Sequence, residues 1–374
     1  MIANEFFYNK LISHNVGFFC GVPDSLLKDF CAYITDNVDE KNHIIAVNEG
    51  AAIGLATGYH IASGFVPLVY MQNSGIGNAV NPLLSLTDPE VYGIPIVLLI
   101  GWRGQPGIHD EPQHIKQGKV TCELLSAMNI PYTIMDSDEN KLQNQLEECF
   151  ATIKKRNCAY AFVVQKNTFA PYILKKIQPD ISGAAMTREA AIEIIAHNSD
   201  GIIVSTTGMA SRELYEIREK NKSGHERDFL TVGSMGHASS IAMEIALQKS
   251  NLAVTCLDGD GALLMHLGAV ATIGVKTPQN LCHIVLNNGA HDSVGAQATI
   301  ADRIDLCAIA KASGYSNVYL VKTENELKRI VQKKHNALTF IEVRVKKGAR
   351  KDLGRPSSTP LENKNSLSAY INPN

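Results

Sequence analysis

A short apolar run, Ala253-Val254-Thr255-Cys256-Leu257, breaks at Asp258-Gly259-Asp260-Gly261 and resumes as Ala262-Leu263-Leu264-Met265. The run has the length of a buried strand, the glycines and aspartates suit a tight turn, and the resumption opens a helix. A second apolar strand, His283–Leu286, stops at Asn287-Asn288-Gly289. Both oxygen-bearing clusters therefore fall at the carboxyl ends of strands, where open α/β sheets bind ligands. Carboxylate, carboxamide and backbone oxygens suit a hard cation such as Mg²⁺. The helix N–H groups at Gly261 and Ala262 suit a phosphate. The same residues also fit two ordinary strand-end turns, because Gly, Asn and Asp gather there for conformational reasons.

The rest of the chain repeats this alternation. Strands are expected near Gly17–Cys20, Ile44–Val47, Pro67–Gln72, Ile96–Gly101, Tyr132–Ile134 and Ala161–Val164. A second set is expected near Ile202–Ser205, Asp228–Val232, Ala253–Leu257, Cys282–Leu286, Val318–Leu320 and Thr339–Val345. Helices such as Ala51–Ser63 and Leu142–Arg156 lie between them. The pattern predicts an α/β protein of two doubly wound parallel sheets. A length of 374 residues agrees with two domains, and a hydrophobic content of 45% can fill two cores. The boundary is expected within Lys176–Met186, where Gln178-Pro179-Asp180-Ile181-Ser182-Gly183 reads as a linker, giving domains 1–178 and 185–374. The polar stretch from Pro356 onward is expected to form an extended arm.

Composition excludes several classes. A net charge of −2 argues against a nucleic-acid partner. Eight cysteines without a CxxC spacing argue against a zinc site or redox pair and for a reducing, cytoplasmic compartment. Met1-Ile2-Ala3-Asn4-Glu5 lacks the basic start of a secretory signal. The richest apolar run, Tyr92–Trp102, is too short to span a bilayer, so no membrane association is expected.

Two further features carry charge. Glu49 sits between the strand Ile44–Val47 and the helix beginning Ala51-Ala52-Ile53, among small apolar neighbours. It reads either as a buried, protonatable carboxyl group or as a glutamate favoured by the helix macrodipole. Arg344, Lys346, Lys347, Arg350, Lys351 and Arg355 crowd into residues 344–355, with Asp352 the only acid there. That cluster is either an anion-binding surface, with Arg as a bidentate fork, or a solvated basic face.

In chain order, Val47-Asn48-Glu49-Gly50-Ala51-Ala52, Asn73-Ser74-Gly75-Ile76-Gly77-Asn78, Gly233-Ser234-Met235-Gly236, Gly259-Asp260-Gly261 and Asn287-Asn288 resemble the binding elements of the thiamine diphosphate-dependent decarboxylase family. The resemblance implies a pyrimidine-binding domain, a diphosphate-binding domain and no middle domain. It implies thiamine diphosphate and Mg²⁺ as cofactors. Asp260, Asn288 and the carbonyl of Ala290 would ligate the metal. Gly208, Gly233, Ser234, Met235, Gly236, Gly259, Gly261, Ala262 and His291 would line the cofactor, with Met235 as the wedge that bends it. In the first half, Asn73 and Asn78 would approach the pyrimidine and Glu49 would meet its N1′. Asp24 and His114 would be the acid–base groups of the reaction.

Gly21-Val22-Pro23-Asp24-Ser25, Gly101-Trp102-Arg103-Gly104, Asp110-Glu111-Pro112-Gln113-His114 and Gly348–Pro356 narrow the resemblance to members acting on strongly anionic 2-oxo acids. The implied reaction converts 3-phosphonopyruvate to phosphonoacetaldehyde and CO₂ in phosphonate biosynthesis. Sulfopyruvate is the alternative substrate. Acetolactate-type carboligation and a non-catalytic cofactor-binding subunit are more distant alternatives. Arg103, Arg350, Lys351 and Arg355 would bind the substrate's anionic group. The resemblance also implies a homodimer, or a homo-oligomer built from dimers, with shared active sites.

Overall fold

The computed structural model describes residues 1–176 and 183–373. The expected linker Gln178–Gly183 lies, apart from Gly183, outside the described residues. The chain divides into two compact units, Met1–Gln178 and Pro179–Asn374.

In the first unit the strands are β1 (Phe19–Gly21), β2 (His43–Ile45), β3 (Leu68–Gln72), β4 (Val97–Gly101), β5 (Tyr132–Ile134) and β6 (Tyr160–Val164). They form one sheet in the order β2-β1-β3-β4-β6-β5, and every pairing is parallel. All five residues of β4 and all five of β6 are buried. Continuous burial replaces in/out alternation because helices cover both faces of a parallel sheet. One face packs around Phe7, Phe19, Phe30 and Phe162, the other around Ile53, Met71, Leu98 and Val163.

The second unit contains β7 (Ile202–Ser205), β8 (Asp228–Leu230), β9 (Val254–Gly259), β10 (Leu281–Asn287), β11 (Asn317–Val321) and β12 (Thr339–Arg344). Their order is β11-β12-β10-β9-β7-β8, again all parallel. Read from its other edge, this is the topology of the first unit, although no internal repeat is legible in the residues. In each unit the chain reverses its direction of travel across the sheet between the first and third strands. Such switch points open crevices at the strands' carboxyl ends. In the first unit that crevice falls at Val22–Asp24 and Gln72–Asn73, and in the second at Thr206–Gly208 and Gly259–Asp260.

The C-terminal stretch corrects an expectation. In place of an extended arm, Pro360–Ile371 is a helix, with Pro360 in its first turn and a reciprocal capping box between Thr359 and Glu362. Its buried Asn363 accepts from the Leu230 N–H at 3.0 Å and donates to the Asp228 carbonyl at 2.9 Å. The carboxamide thereby satisfies the open edge of β8, a task a neighbouring strand performs elsewhere. Polar composition masked the helix because its anchor to the sheet is itself polar.

Candidate active site

In the first unit the strand ends gather Asp24, Glu49, Gln72, Arg103 and their partners. Asp24 is fully buried. Its Oδ1 accepts from the Leu26 N–H at 2.9 Å and its Oδ2 from Gln72 Nε2 at 2.7 Å. Position 101 must be glycine, because a Cβ there would lie 2.1 Å from Asp24 Oδ1. Burial raises the Asp24 carboxyl above the usual carboxylate range, while Gln72, the Leu26 N–H and the Arg103 charge pull it partly back. Arg103 is forked onto Asp110, with Nε donating to Oδ2 at 2.8 Å and Nη2 to Oδ1 at 2.5 Å. Its Nη1 donates to Ser25 Oγ at 2.8 Å.

His114 is buried, and its Nδ1 makes no hydrogen bond within the chain. Burial, with the Arg103 charge, lowers its pKa to about 4. At neutral pH the imidazole is therefore uncharged.

Glu49 opens the helix Glu49–Ser63, whose N-cap, Asn48, accepts from the Ala51 N–H at 2.8 Å. This cap turns the chain from β2 into the helix and delivers Glu49 to a buried position. Its Oε2 accepts from Asn78 Nδ2 at 2.8 Å. A Cβ at Gly75 would fall 2.2 Å from Glu49 Oε1, so the carboxylate lies directly against the backbone of that loop. Asn73, expected at a cofactor, is hydrogen-bonded within the unit. Its Nδ2 donates to the Arg103 carbonyl at 2.8 Å and to Thr121 Oγ1 at 2.9 Å, and its Oδ1 accepts from the Arg103 N–H at 3.2 Å.

In the second unit Asp260 and Asn288 stand at the ends of the paired strands β9 and β10. Asp260 is buried, and its Oδ2 accepts from Thr299 Oγ1 at 2.5 Å. Burial pushes its carboxyl up to about 7 against the pull of Thr299 and the local N–H groups. The two asparagines divide their tasks. Asn287 donates to Glu342 Oε1 at 2.8 Å and accepts from the Gly289 N–H at 3.0 Å, so its amide is spent on the fold. Asn288 donates to Asp292 Oδ2 at 2.6 Å and accepts from the Ala290 N–H at 3.0 Å.

The cofactor-lining residues expected here lie close together. A Cβ at Gly261 would meet His291 Cε1 at 3.0 Å and Met235 Cε at 3.5 Å. Burial lowers the His291 pKa to about 4. Gly236 packs against His266, since a Cβ there would lie 2.6 Å from the ring. Ser234 has φ 46°, which bends the Gly233–Gly236 loop sharply. Gly208 has φ 91° and precedes the helix Met209–Asn221, whose N-terminus has no side-chain cap. A Cβ at Gly208 would meet nothing within 4 Å. The unit thus offers an all-oxygen donor set beside an uncapped helix N-terminus with open space, which fits Mg²⁺ and a diphosphate. A divalent cation would also compensate the buried Asp260 carboxylate.

Beneath the turn, Asp258 Oδ1 accepts from the Gly259 N–H at 2.9 Å. His283 spans Asp258 Oδ2 at 3.3 Å and the Tyr315 hydroxyl at 3.0 Å, so both ring nitrogens are used.

The basic segment is folded back on its own unit. Arg344 pairs with Asp302 and Glu342, and Arg350 with Glu189, Glu216 and Asp352. Lys351 and Arg355 are exposed. Sequence reasoning missed Gln72, Thr299 and Asp292. The Asp260–Thr299 pair is 39 residues apart, and the Asp24–Gln72 pair 48, so no local motif marks them.

The family model for the thiamine pyrophosphate enzyme N-terminal TPP binding domain matches residues 1–124. That for the C-terminal TPP binding domain matches residues 205–343. Thiamine pyrophosphate is another name for thiamine diphosphate. The phosphonopyruvate decarboxylase of Streptomyces viridochromogenes is 33% identical over 91% of this chain and 89% of its own. That of Streptomyces hygroscopicus is 32% identical over 89% of this chain and 86% of its own. The sulfopyruvate decarboxylase of Methanosarcina acetivorans is 28% identical over 87% of each chain.

Proposed function

Because the chain belongs to the phosphonopyruvate decarboxylase family of thiamine diphosphate-dependent enzymes, we propose that it decarboxylates 3-phosphonopyruvate to phosphonoacetaldehyde and CO₂ in phosphonate biosynthesis. The observation that carries the chemistry is the buried Asp260 carboxylate on the β9 turn, beside Asn288 at the end of β10. Asp260, Asn288 and the Ala290 carbonyl would hold Mg²⁺. Gly208, the Gly233–Gly236 loop, Gly259, Gly261, Ala262 and His291 would hold the rest of the cofactor. When bound, the cofactor supplies the electron sink that side chains lack.

The chain's own residues do the rest. Glu49, its carboxyl group fixed by Asn78, would exchange a proton at the pyrimidine of the cofactor. Asp24, whose buried carboxyl is raised above the usual carboxylate range, would deliver a proton to the nascent aldehyde. We assign the phosphonate to Arg103, whose guanidinium is pre-aimed by Asp110 and Ser25 and shares its electrostatic surroundings with Asp24 and His114. Arg350 is already engaged by three carboxylates, and with the exposed Lys351 and Arg355 it has the weaker claim.

CO₂ release from phosphonopyruvate, sulfopyruvate and pyruvate tests the reading. Phosphonopyruvate should exceed pyruvate in kcat/KM, because only it carries a second anionic group for the Arg103 guanidinium to pair with. Arg103→Met should collapse that ratio. Faster turnover of sulfopyruvate would favour the second reading, which the relative of that name supports. No release from any of the three would refute the proposal.

We also propose a homodimer, or an oligomer of dimers, in which Glu49 of one subunit and Asp260 of another complete each site. Mixing inactive Glu49→Gln with inactive Asp260→Ala under subunit exchange should recover about a quarter of wild-type activity, because one of the four site combinations in exchanged dimers is intact. Exchange without recovery would rule out shared sites. The eight free cysteines support a cytoplasmic location, and no helix among the described residues is long and apolar enough to cross a membrane.

A further inference from the structure

The Asn288 side chain faces a choice that its own shape does not settle. A carboxamide has one acceptor end and one donor end of nearly equal size, and only the oxygen end can ligate a cation. Asn288 Nδ2 donates to Asp292 Oδ2 at 2.6 Å. A carboxylate can only accept, so turning the amide over would set oxygen against oxygen here, and at its other end it would lose the backbone bond from the Ala290 N–H at 3.0 Å.

Asp292 is itself held in place. The same Oδ2 accepts from Arg188 Nη1 at 3.1 Å and from the Gly348 N–H at 2.9 Å. Arg188 is buried and forked onto Glu213, through Nε to Oε2 at 2.8 Å and Nη2 to Oε1 at 3.0 Å. A buried guanidinium in a bidentate pair is among the stiffest supports a protein can build. The chain of bonds runs from the helices Arg188–Asn198 and Met209–Asn221 to the Asn287–Ala290 turn.

We infer that Asp292, fixed by Arg188 and Glu213, is a positioning residue that dictates which end of the Asn288 amide faces the metal. This rests on the proposed Mg²⁺ site. It goes beyond that proposal in naming what orients one of the ligands, a role that outer-sphere carboxylates play for other metal ligands.

Calorimetric titration of thiamine diphosphate at graded Mg²⁺ provides the test. Asp292→Ala should weaken Mg²⁺-dependent binding by about 10–100-fold, since Asn288 Nδ2 then loses the carboxylate it donates to. The double variant, Asn288→Asp with Asp292→Ala, keeps the charge count and presents a carboxylate oxygen to the metal whichever way residue 288 turns. It should bind with near wild-type affinity. A loss of apo thermal stability in the single variant would not mimic this, because general structural damage is not repaired by a second substitution at the ligand. A single variant that binds like wild type, or a double variant that stays as weak as the single one, would overturn the inference. Failure of the wild-type chain itself to bind cofactor with Mg²⁺ would instead overturn the metal site on which it rests.

Discussion

Glu49→Gln is expected to bind thiamine diphosphate and Mg²⁺ with near wild-type affinity and to lose turnover by about 10²–10⁴-fold, the usual contribution of a positioned acid–base group. The substitution keeps size and shape, which matters because the carboxylate lies so close to Gly75 that even a Cβ there would overlap it. A glutamine can keep an oxygen toward Asn78 Nδ2, the donor that fixes Glu49 at 2.8 Å. It cannot gain or lose a proton. The defect should therefore lie in activation of the cofactor and leave its binding intact. Exchange of the bound cofactor's C2 proton, followed by NMR, should slow in proportion to turnover, while calorimetry shows unchanged affinity. Exchange at the wild-type rate would remove Glu49 from the mechanism. A variant that no longer bound cofactor would make its role structural.

The alternation of strands and helices was legible because a parallel sheet covered on both faces writes itself as short continuous apolar runs, and β4 and β6 are such runs. The strand ends were legible as candidate sites because turn chemistry and oxygen donors coincide there, at Asp24, Glu49, Asp260 and Asn288. What the sequence could not convey is which polar residues face one another. Arg103 and Ser25 are 78 positions apart, and Arg188 and Asp292 are 104, yet both pairs are hydrogen-bonded. Their partnerships depend on strand order, and strand order is a property of the folded chain. The basic segment was left with two readings for the same reason. Its charges look unbalanced in sequence, but Arg344 and Arg350 find their carboxylates on other elements. The role of Asn73 was hidden likewise, since its three hydrogen bonds reach Arg103 and Thr121.

Asp260→Ala should abolish Mg²⁺-dependent cofactor binding while leaving the fold intact. The lost ligand is the one charged donor of the proposed set. Its removal should weaken binding by more than the roughly 10–100-fold that outer-sphere changes cost. The fold should survive because Asp260 is a liability in the absence of a cation. Burial pushes its carboxyl up to about 7 from the ordinary carboxylate value of 3.8. Between those values the folded chain holds a proton that the unfolded chain has released. Stability of the apoprotein therefore falls as pH rises across that window and levels off above about 7. Alanine removes this slope, so thermal melts of the apo variant should be flatter with pH than those of wild type. The same proton must leave before the carboxylate can ligate, so wild-type Mg²⁺ affinity should rise with pH up to about 7 and then flatten. Calorimetry at several pH values, with apo melts in parallel, measures both trends. Unchanged cofactor affinity in the variant would place the metal elsewhere. A wild-type affinity independent of pH below 7 would mean that Asp260 is already ionised, and that its burial is relieved by a partner other than the metal.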